Sequence, residues 1–426
     1  MLAANAEAPP MTEATHRASF FRQSGWLMIA NVAGGALMWA VHFLSKKIPV
    51  AEYGIFGVCL AVSTCIQGMP LQMAMTHQTA LALANGRRRE LAGMIRFVFM
   101  GTTALWLIGA IVVALWHRPI IQHWGLTNPS ALWLTLAVVL LNSFWLPMLS
   151  GILQGRQNFL WLGWSMIMNA VGRISIAALA VLLLGGYAAG MMFGVVAGYV
   201  MAVMVGFWKT RDLCFGPSLP FAWRSLLWEI VPPMVGFAAF QFLFTADTMF
   251  VKALFNDQDA GFYVSAGTLS RALMWLVMPL ASVMFPRIVH SVAKAEKSDL
   301  MGLVLLGTAV LAVLGALSLC VLGPWVVKLV YKQSYIQVAT ELLPWYAGAM
   351  VPLAVANVLL NNLLARSTYK IVLPLCALAV CYGLALSQFH ATLVIVLKTM
   401  GVFNLLLLAT CALFTWGMKP QAQSNK

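Results

Sequence analysis

The chain has 426 residues, of which 62% are hydrophobic and 9% charged, with a formal net charge of +14. Soluble domains carry about 25% charged residues, so at a mean hydropathy of +0.86 a water-soluble globular fold is excluded and lipid is the solvent. The positive balance would suggest nucleic acid in a soluble chain; in a membrane chain it answers first to the bias of basic loops towards the cytoplasm.

Residues 1–23 are polar and lack a short apolar core followed by a cleavage site, which predicts a cytoplasmic tail rather than a signal peptide. Apolar runs long enough to cross ~30 Å of hydrocarbon follow at 24–45, 55–78, 94–116, 131–150, 160–184, 187–208, 226–252, 263–285, 300–322, 341–364, 371–388 and 391–416. They predict an all-α polytopic membrane protein with about twelve transmembrane helices. Six fall in 24–208 and six in 226–416, joined by a cytoplasmic linker at 209–225 and ending in a cytoplasmic tail at 417–426. Pro70, Pro147, Pro232-Pro233, Pro279, Pro344, Pro352 and Pro374 interrupt spans, where proline bends helices. Trp116, Trp124, Trp208, Trp223 and Trp228 fall at span ends, as an interfacial aromatic belt predicts.

The two halves repeat. Ala51–Pro70 aligns with Ala260–Pro279, and Met69-Pro70-Leu71 stands 209 residues before Met278-Pro279-Leu280. Glu90-Leu91 and Asp299-Leu300 keep the same offset. Repeats that each cross an even number of times are related by an axis along the membrane normal, with the substrate site between them near the midplane.

With the N-terminus inside, seventeen of the 26 Lys and Arg fall on the cytoplasmic side and six outside, leaving Arg173, Arg271 and Lys398 within spans. That bias predicts cytoplasmic termini. It accounts for the Arg87-Arg88-Arg89 cluster as a topogenic loop and leaves no call for nucleic acid. No Walker loop, dinucleotide-binding glycine fingerprint or HExxH occurs, so no cofactor, metal or catalytic residue is expected. The seven cysteines lack a CxxC and read as apolar packing residues.

Four passages carry a family resemblance: Glu52-Tyr53-Gly54-Ile55-Phe56; Gly151 to Phe159 (GILQGRQNF); Ala246-Asp247 with Ala260-Gly261-Phe262-Tyr263 and Phe285-Pro286-Arg287; and Tyr335 with Leu342-Leu343 and Asn361 to Arg366 (NNLLAR). Through them, over roughly 20–415, the chain resembles the polysaccharide transporters of the multidrug/oligosaccharidyl-lipid/polysaccharide (MOP) superfamily. The resemblance implies two six-helix bundles around a V-shaped cavity working by alternating access. It also implies a polyprenyl-pyrophosphate-linked oligosaccharide as substrate, for O-antigen or lipopolysaccharide synthesis, in the bilayer of a bacterial inner membrane. A polysaccharide polymerase complex is the implied neighbour.

An intramembrane charge costs about 2.5–3.5 kcal/mol on insertion scales, so Arg173, Arg271, Lys398 and Asp247 are the candidate site residues. Two readings stand side by side. Asp247 and Arg271 lie about ten and fourteen residues from the turn near Asn256–Gln258, close enough in depth to pair structurally or to serve ion coupling. Alternatively Arg173, Arg271 and Lys398 form a cationic wall for a diphosphate, since Arg makes bidentate bonds to phosphate; Lys398 could instead snorkel to the outer interface. Asn31, Gln67, Asn169 and Gln241 are candidates for sugar hydroxyls or for bridges between helices. A proton- or sodium-coupled drug exporter of the same superfamily is the rival function, and a non-transporting scaffold a third. The exporter wants cavity carboxylates, of which Asp247 is the clear intramembrane example.

Overall fold

The computed structural model describes residues 13–221, 223–293, 300–365 and 368–417. Residues 1–12, Ala222, 294–299, Arg366, Ser367 and 418–426 lie outside the described residues, as do the side chains of 13–24, Ser225, Glu229, 278–293, Leu300, Met301, Leu303 and Ala365. With them go Pro279, Asp299 and the Phe285-Pro286-Arg287 passage.

Every described element is helical. The first half holds α1 (Glu13–Ala40), continued by a 3-10 turn at Val41–Lys47, then α2 (Val50–Thr64), α3 (Met69–Ala84) and α4 (Arg88–Leu115). It continues with the short α5 (His117–His123), α6 (Ser130–Leu140), a π-helical turn at Leu141–Trp145, α7 (Leu146–Gly155), α8 (Phe159–Leu182) and α9 (Tyr187–Cys214). The second half holds α10 (Trp223–Leu254), α11 (Asp257–Ala293), α12 (Leu300–Val330), α13 (Ile336–Ala365), α14 (Val372–Gln388) and α15 (Leu393–Trp416). Eleven helical segments among the described residues are long and apolar enough to cross a membrane. With α11, the remaining long helix, this matches the two-bundle expectation.

The differences from the expected boundaries have local causes. The second span is two helices because Gly68 and Pro70 break it at Cys65–Gly68, with the proline inside the first turn of α3. The fourth span stays continuous but widens into a π-helical turn at Leu141–Trp145, just before Pro147. The tail expected at 1–23 is helical from Glu13 onward, since no Gly or Pro interrupts 13–24. A loop expected at 117–130 contains α5.

The linker expected at 209–225 is fastened along its length. Its first residues extend α9 to Cys214, where Lys209 lies over the Trp161 ring at 3.9 Å and Asp212 pairs with Arg156. Beyond the helix, Arg96 Nε donates to Cys214 O (2.9 Å), Arg96 Nη1 to Ser218 Oγ (3.2 Å), and the guanidinium also reaches Gly216 O. Leu219 N donates to Arg89 O at 2.9 Å, and Phe221 meets Phe97 edge-on at 5.5 Å. The connector therefore belongs structurally to the first half.

Within the first half α8 packs on α9 and α1, and α3 on α7; within the second, α13 packs on α15, α12 and α11, and α10 on α14. The GILQGRQNF passage serves this packing. Gln154 accepts from Gln72 and Thr76 of α3 at 3.2 Å each, and Asn158 caps α8 by accepting from Trp161 N. The halves meet where α2 crosses α11 and α10. The crossing is backbone on backbone: a Cβ on Gly54 would lie 2.9 Å from Gly261 N, and one on Gly261 2.2 Å from Val50 O. Small residues are what let membrane helices approach so closely.

Candidate functional site

The crossing of α2 and α11 lies at the end of the molecule opposite the basic loops, and polar contacts between the halves gather there. Ser45 Oγ donates to Val330 O (3.2 Å) and Lys332 Nζ to Ile48 O (2.8 Å). At their centre is Tyr53, fully buried, whose hydroxyl meets His42 Nδ1 at 2.8 Å, Tyr331 Oη at 2.9 Å and Thr268 Oγ1 at 3.3 Å. A phenol hydroxyl has one hydrogen to give and two lone pairs to accept with, so these three partners saturate it. The chain from His42 through Tyr53 to Tyr331 and Thr268 joins the two halves side chain to side chain.

Glu52, the neighbour of that tyrosine, is also buried. Its carboxylate accepts from Thr127 Oγ1 and from Ala188 N (3.0 Å), the second an orphan amide of the first turn of α9. The Glu-Tyr-Gly passage is thus three tasks in consecutive residues: capping α9, joining the halves, and permitting the helix crossing. Lys252, at the outer end of the expected span 226–252, is buried too, paired with Asp257.

Of the candidate charges, the structure brings two together. Asp247 is fully buried in α10 and takes Arg271 Nη2 at 2.7 Å. The same nitrogen donates to Phe244 O (3.1 Å) and Thr248 Oγ1 (2.9 Å). Tyr263 Oη (2.9 Å) and Tyr346 Oη donate to the second carboxylate oxygen, and the guanidinium also rests 5.5 Å from the Tyr346 ring. Asp247 and Arg271 are an internal ion pair with three hydroxyl partners.

Arg173 stands apart from this pair. It is buried in α8, 9% exposed, about 21 Å along the helix from Phe159, within electrostatic reach of Tyr53, Tyr199 and His42. Among the described residues no carboxylate pairs with it, and its Nε has no hydrogen-bond partner. One turn earlier, the side-chain oxygen of Asn169 is buried and equally unpartnered. Lys398 is in neither group. It is exposed in a groove between α14 and α15, its Nζ 4.8 Å from the centre of the Trp345 ring. The three cations do not share one wall.

The polar candidates scatter similarly. Gln241 is buried in α10, Gln67 is half-buried in the break between α2 and α3, and Asn31 is exposed on α1. The residues to which sequence reasoning gave no site role are the tyrosines, although Tyr53, Tyr263 and Tyr335 stand in the passages that carry the resemblance. Six of nine are fully buried in the interior, whereas Trp116, Trp208, Trp223 and Trp228 are exposed at span ends as expected. A buried phenol needs a partner for its hydroxyl, which was the available signal. No group of His, Cys, Asp or Glu suited to a metal occurs among the described residues.

A family model described as polysaccharide biosynthesis protein matches residues 20–292. No curated protein sequence matches the chain. Among solved structures, a multidrug resistance MATE family transporter of the MOP superfamily in an inward-facing conformation aligns with a TM-score of 0.67 at 12% identity, covering 91% of this chain and 93% of that one. The lipid II flippase MurJ in an inward closed conformation aligns at 0.68 and 11%, covering 94% and 88%. A MOP superfamily transporter from Pyrococcus furiosus, described as having a binding pocket of reverse polarity suggesting a different function, aligns at 0.60 and 13%, covering 93% and 94%. At these identities the likeness establishes the fold.

Proposed function

Because the chain belongs to the polysaccharide biosynthesis protein family, we propose that it is a flippase carrying a polyprenyl-pyrophosphate-linked oligosaccharide from the cytoplasmic to the outer leaflet of the bacterial inner membrane. The observation that carries this reading is Arg173, a buried cation with no carboxylate partner among the described residues. Burying an unpaired charge costs several kcal/mol, and an anion arriving from the membrane surface would offset that cost. A diphosphate suits a guanidinium, which bonds phosphate oxygens in a bidentate fork.

With the basic loops in the cytoplasm, the Tyr53 contacts close the outer end, and substrate enters from the inside. Translocation follows when the Tyr53–Tyr331, Ser45–Val330 and Lys332–Ile48 contacts part. Arg271 acts within its pair with Asp247, holding α11 to α10. The exporter reading wants a carboxylate free to take a cation. Asp247 already receives three side-chain donors and Glu52 two donors, which favours the anionic substrate.

The test is the leaflet distribution of lipid-linked oligosaccharide in cells depleted of the protein. Wild type is expected to clear the cytoplasmic leaflet, and Arg173→Gln, present in the membrane at wild-type level, is expected to leave the intermediate there. Full rescue by Arg173→Gln, or no accumulation on depletion together with sensitivity to cationic dyes, would overturn the reading.

A further inference from the structure

Lys398 presents a charge problem that transport does not solve. It lies in the second turn of α15, about 8 Å along the axis from Leu393, and its ammonium is exposed on a surface otherwise apolar. The groove around it has a volume of about 280 Å³ and is lined by Ala385, Phe389, Ile395, Val402 and Phe403, with Thr399 beside the lysine. No carboxylate among the described residues pairs with Lys398, whose close neighbour is the half-exposed face of Trp345. The groove belongs to α14 and α15, whereas contact with the first half runs mainly through α10 and α11. It therefore opens on the flank of the molecule, towards lipid.

A second observation is independent of the charge. On the same helix Thr410 and Thr415 donate to the carbonyls four residues back, Leu406 O and Cys411 O, both at 2.8 Å. That is the ordinary way for a threonine to satisfy its hydroxyl within an apolar helix. Thr399 makes no such bond to Ile395 O, and its hydroxyl remains a donor in the groove beside the ammonium. An ammonium and a free hydroxyl on adjacent residues, with aromatic and aliphatic side chains below them, complement an anionic oxygen group carrying an apolar chain.

We propose that this groove binds the phosphate headgroup of an anionic membrane phospholipid, with Lys398 as its counter-ion, Thr399 as hydrogen-bond donor, and an acyl chain along Phe389, Val402 and Phe403. The site is separate from Arg173 and stands whether or not the flippase reading does. The phosphate of a lipid with net negative charge gains a charge-assisted hydrogen bond for which no cation of its own headgroup competes, and anionic lipids are the ordinary partners of basic residues near a membrane surface.

The experiment is titration of phosphatidylglycerol and of phosphatidylcholine onto the purified full-length protein in detergent, read by native mass spectrometry. Wild type, Lys398→Gln, Lys398→Arg and Thr399→Val are compared, with thermal unfolding reporting that each is folded. Wild type is expected to hold one phosphatidylglycerol about tenfold more tightly than Lys398→Gln does, the loss of one hydrogen bond to a charged group. Lys398→Arg is expected to keep that affinity, Thr399→Val to lose part of it, and phosphatidylcholine, whose own choline competes for its phosphate, to bind more weakly and to depend less on residue 398. Equal retention by wild type and Lys398→Gln would overturn the proposal. So would displacement of the lipid by inorganic phosphate at equal concentration, which would show that the apolar lining contributes nothing. Stoichiometric displacement by a polyprenyl diphosphate, with no preference for phosphatidylglycerol, would make the groove a substrate site instead.

Discussion

Arg173 and Arg271 are the same side chain in the same solvent with opposite consequences. Arg271 is neutralised by Asp247 and donates to three acceptors through one nitrogen, so removing the carboxylate strands a buried charge. Asp247→Asn is expected to lower the unfolding free energy by roughly 3–5 kcal/mol. Arg173→Gln, which deletes a charge that has no partner, is expected to leave thermal stability unchanged or raise it. Thermal unfolding of both variants in one detergent checks the contrast, and a drop for Arg173→Gln as large as that for Asp247→Asn would contradict it. The ion pair is legible in the sequence because both residues are counted from a single turn and their depths agree. The freedom of Arg173 is not, since nothing in an apolar run says which neighbours turn towards it. The tyrosines escape for a related reason: Tyr53, Tyr263 and Tyr346 occur in apolar runs with no period that distinguishes a bonded hydroxyl from a packed ring.

At the scale of helices, span positions follow from length and hydropathy alone, because lipid demands continuous helix. Ends do not. The extension of α9 to Cys214 is settled by a packing partner far away in sequence, the Arg156 loop, whereas the break at Cys65–Gly68 answers to Gly68 and Pro70 beside it. The repeated segments are a middle case: internal alignment finds α2 and α11, and their crossing at Gly54 and Gly261 puts the two repeats against each other. Any side chain at Gly261 must push Val50 away. Gly261→Val is therefore expected to open the seam between the halves, and alkylation of a Ser45→Cys reporter, shielded beside Val330 in the parent, is expected to speed up several-fold. Unchanged labelling would mean that α2 yields locally and the crossing does not control the seam.

For the molecule as a whole, the fastening of residues 209–221 to α4 has a consequence for how the protein is made. Arg96 and Arg89 hold the connector from Cys214 to Leu219, so the covalent join between the halves bears little of their alignment, which falls to the α2–α11 seam. A tether mainly supplies effective concentration, and two pieces confined to one membrane already meet in two dimensions. Residues 1–221 and 222–426, produced as separate polypeptides in the same cell, are expected to copurify and to restore oligosaccharide transfer in depleted cells. The same cut placed after Asp212 leaves residues 213–221 on the second piece, where Arg96 and Arg89 of the first can still hold them, and is expected to do at least as well. The protein is then best thought of as a dimer that happens to share one gene.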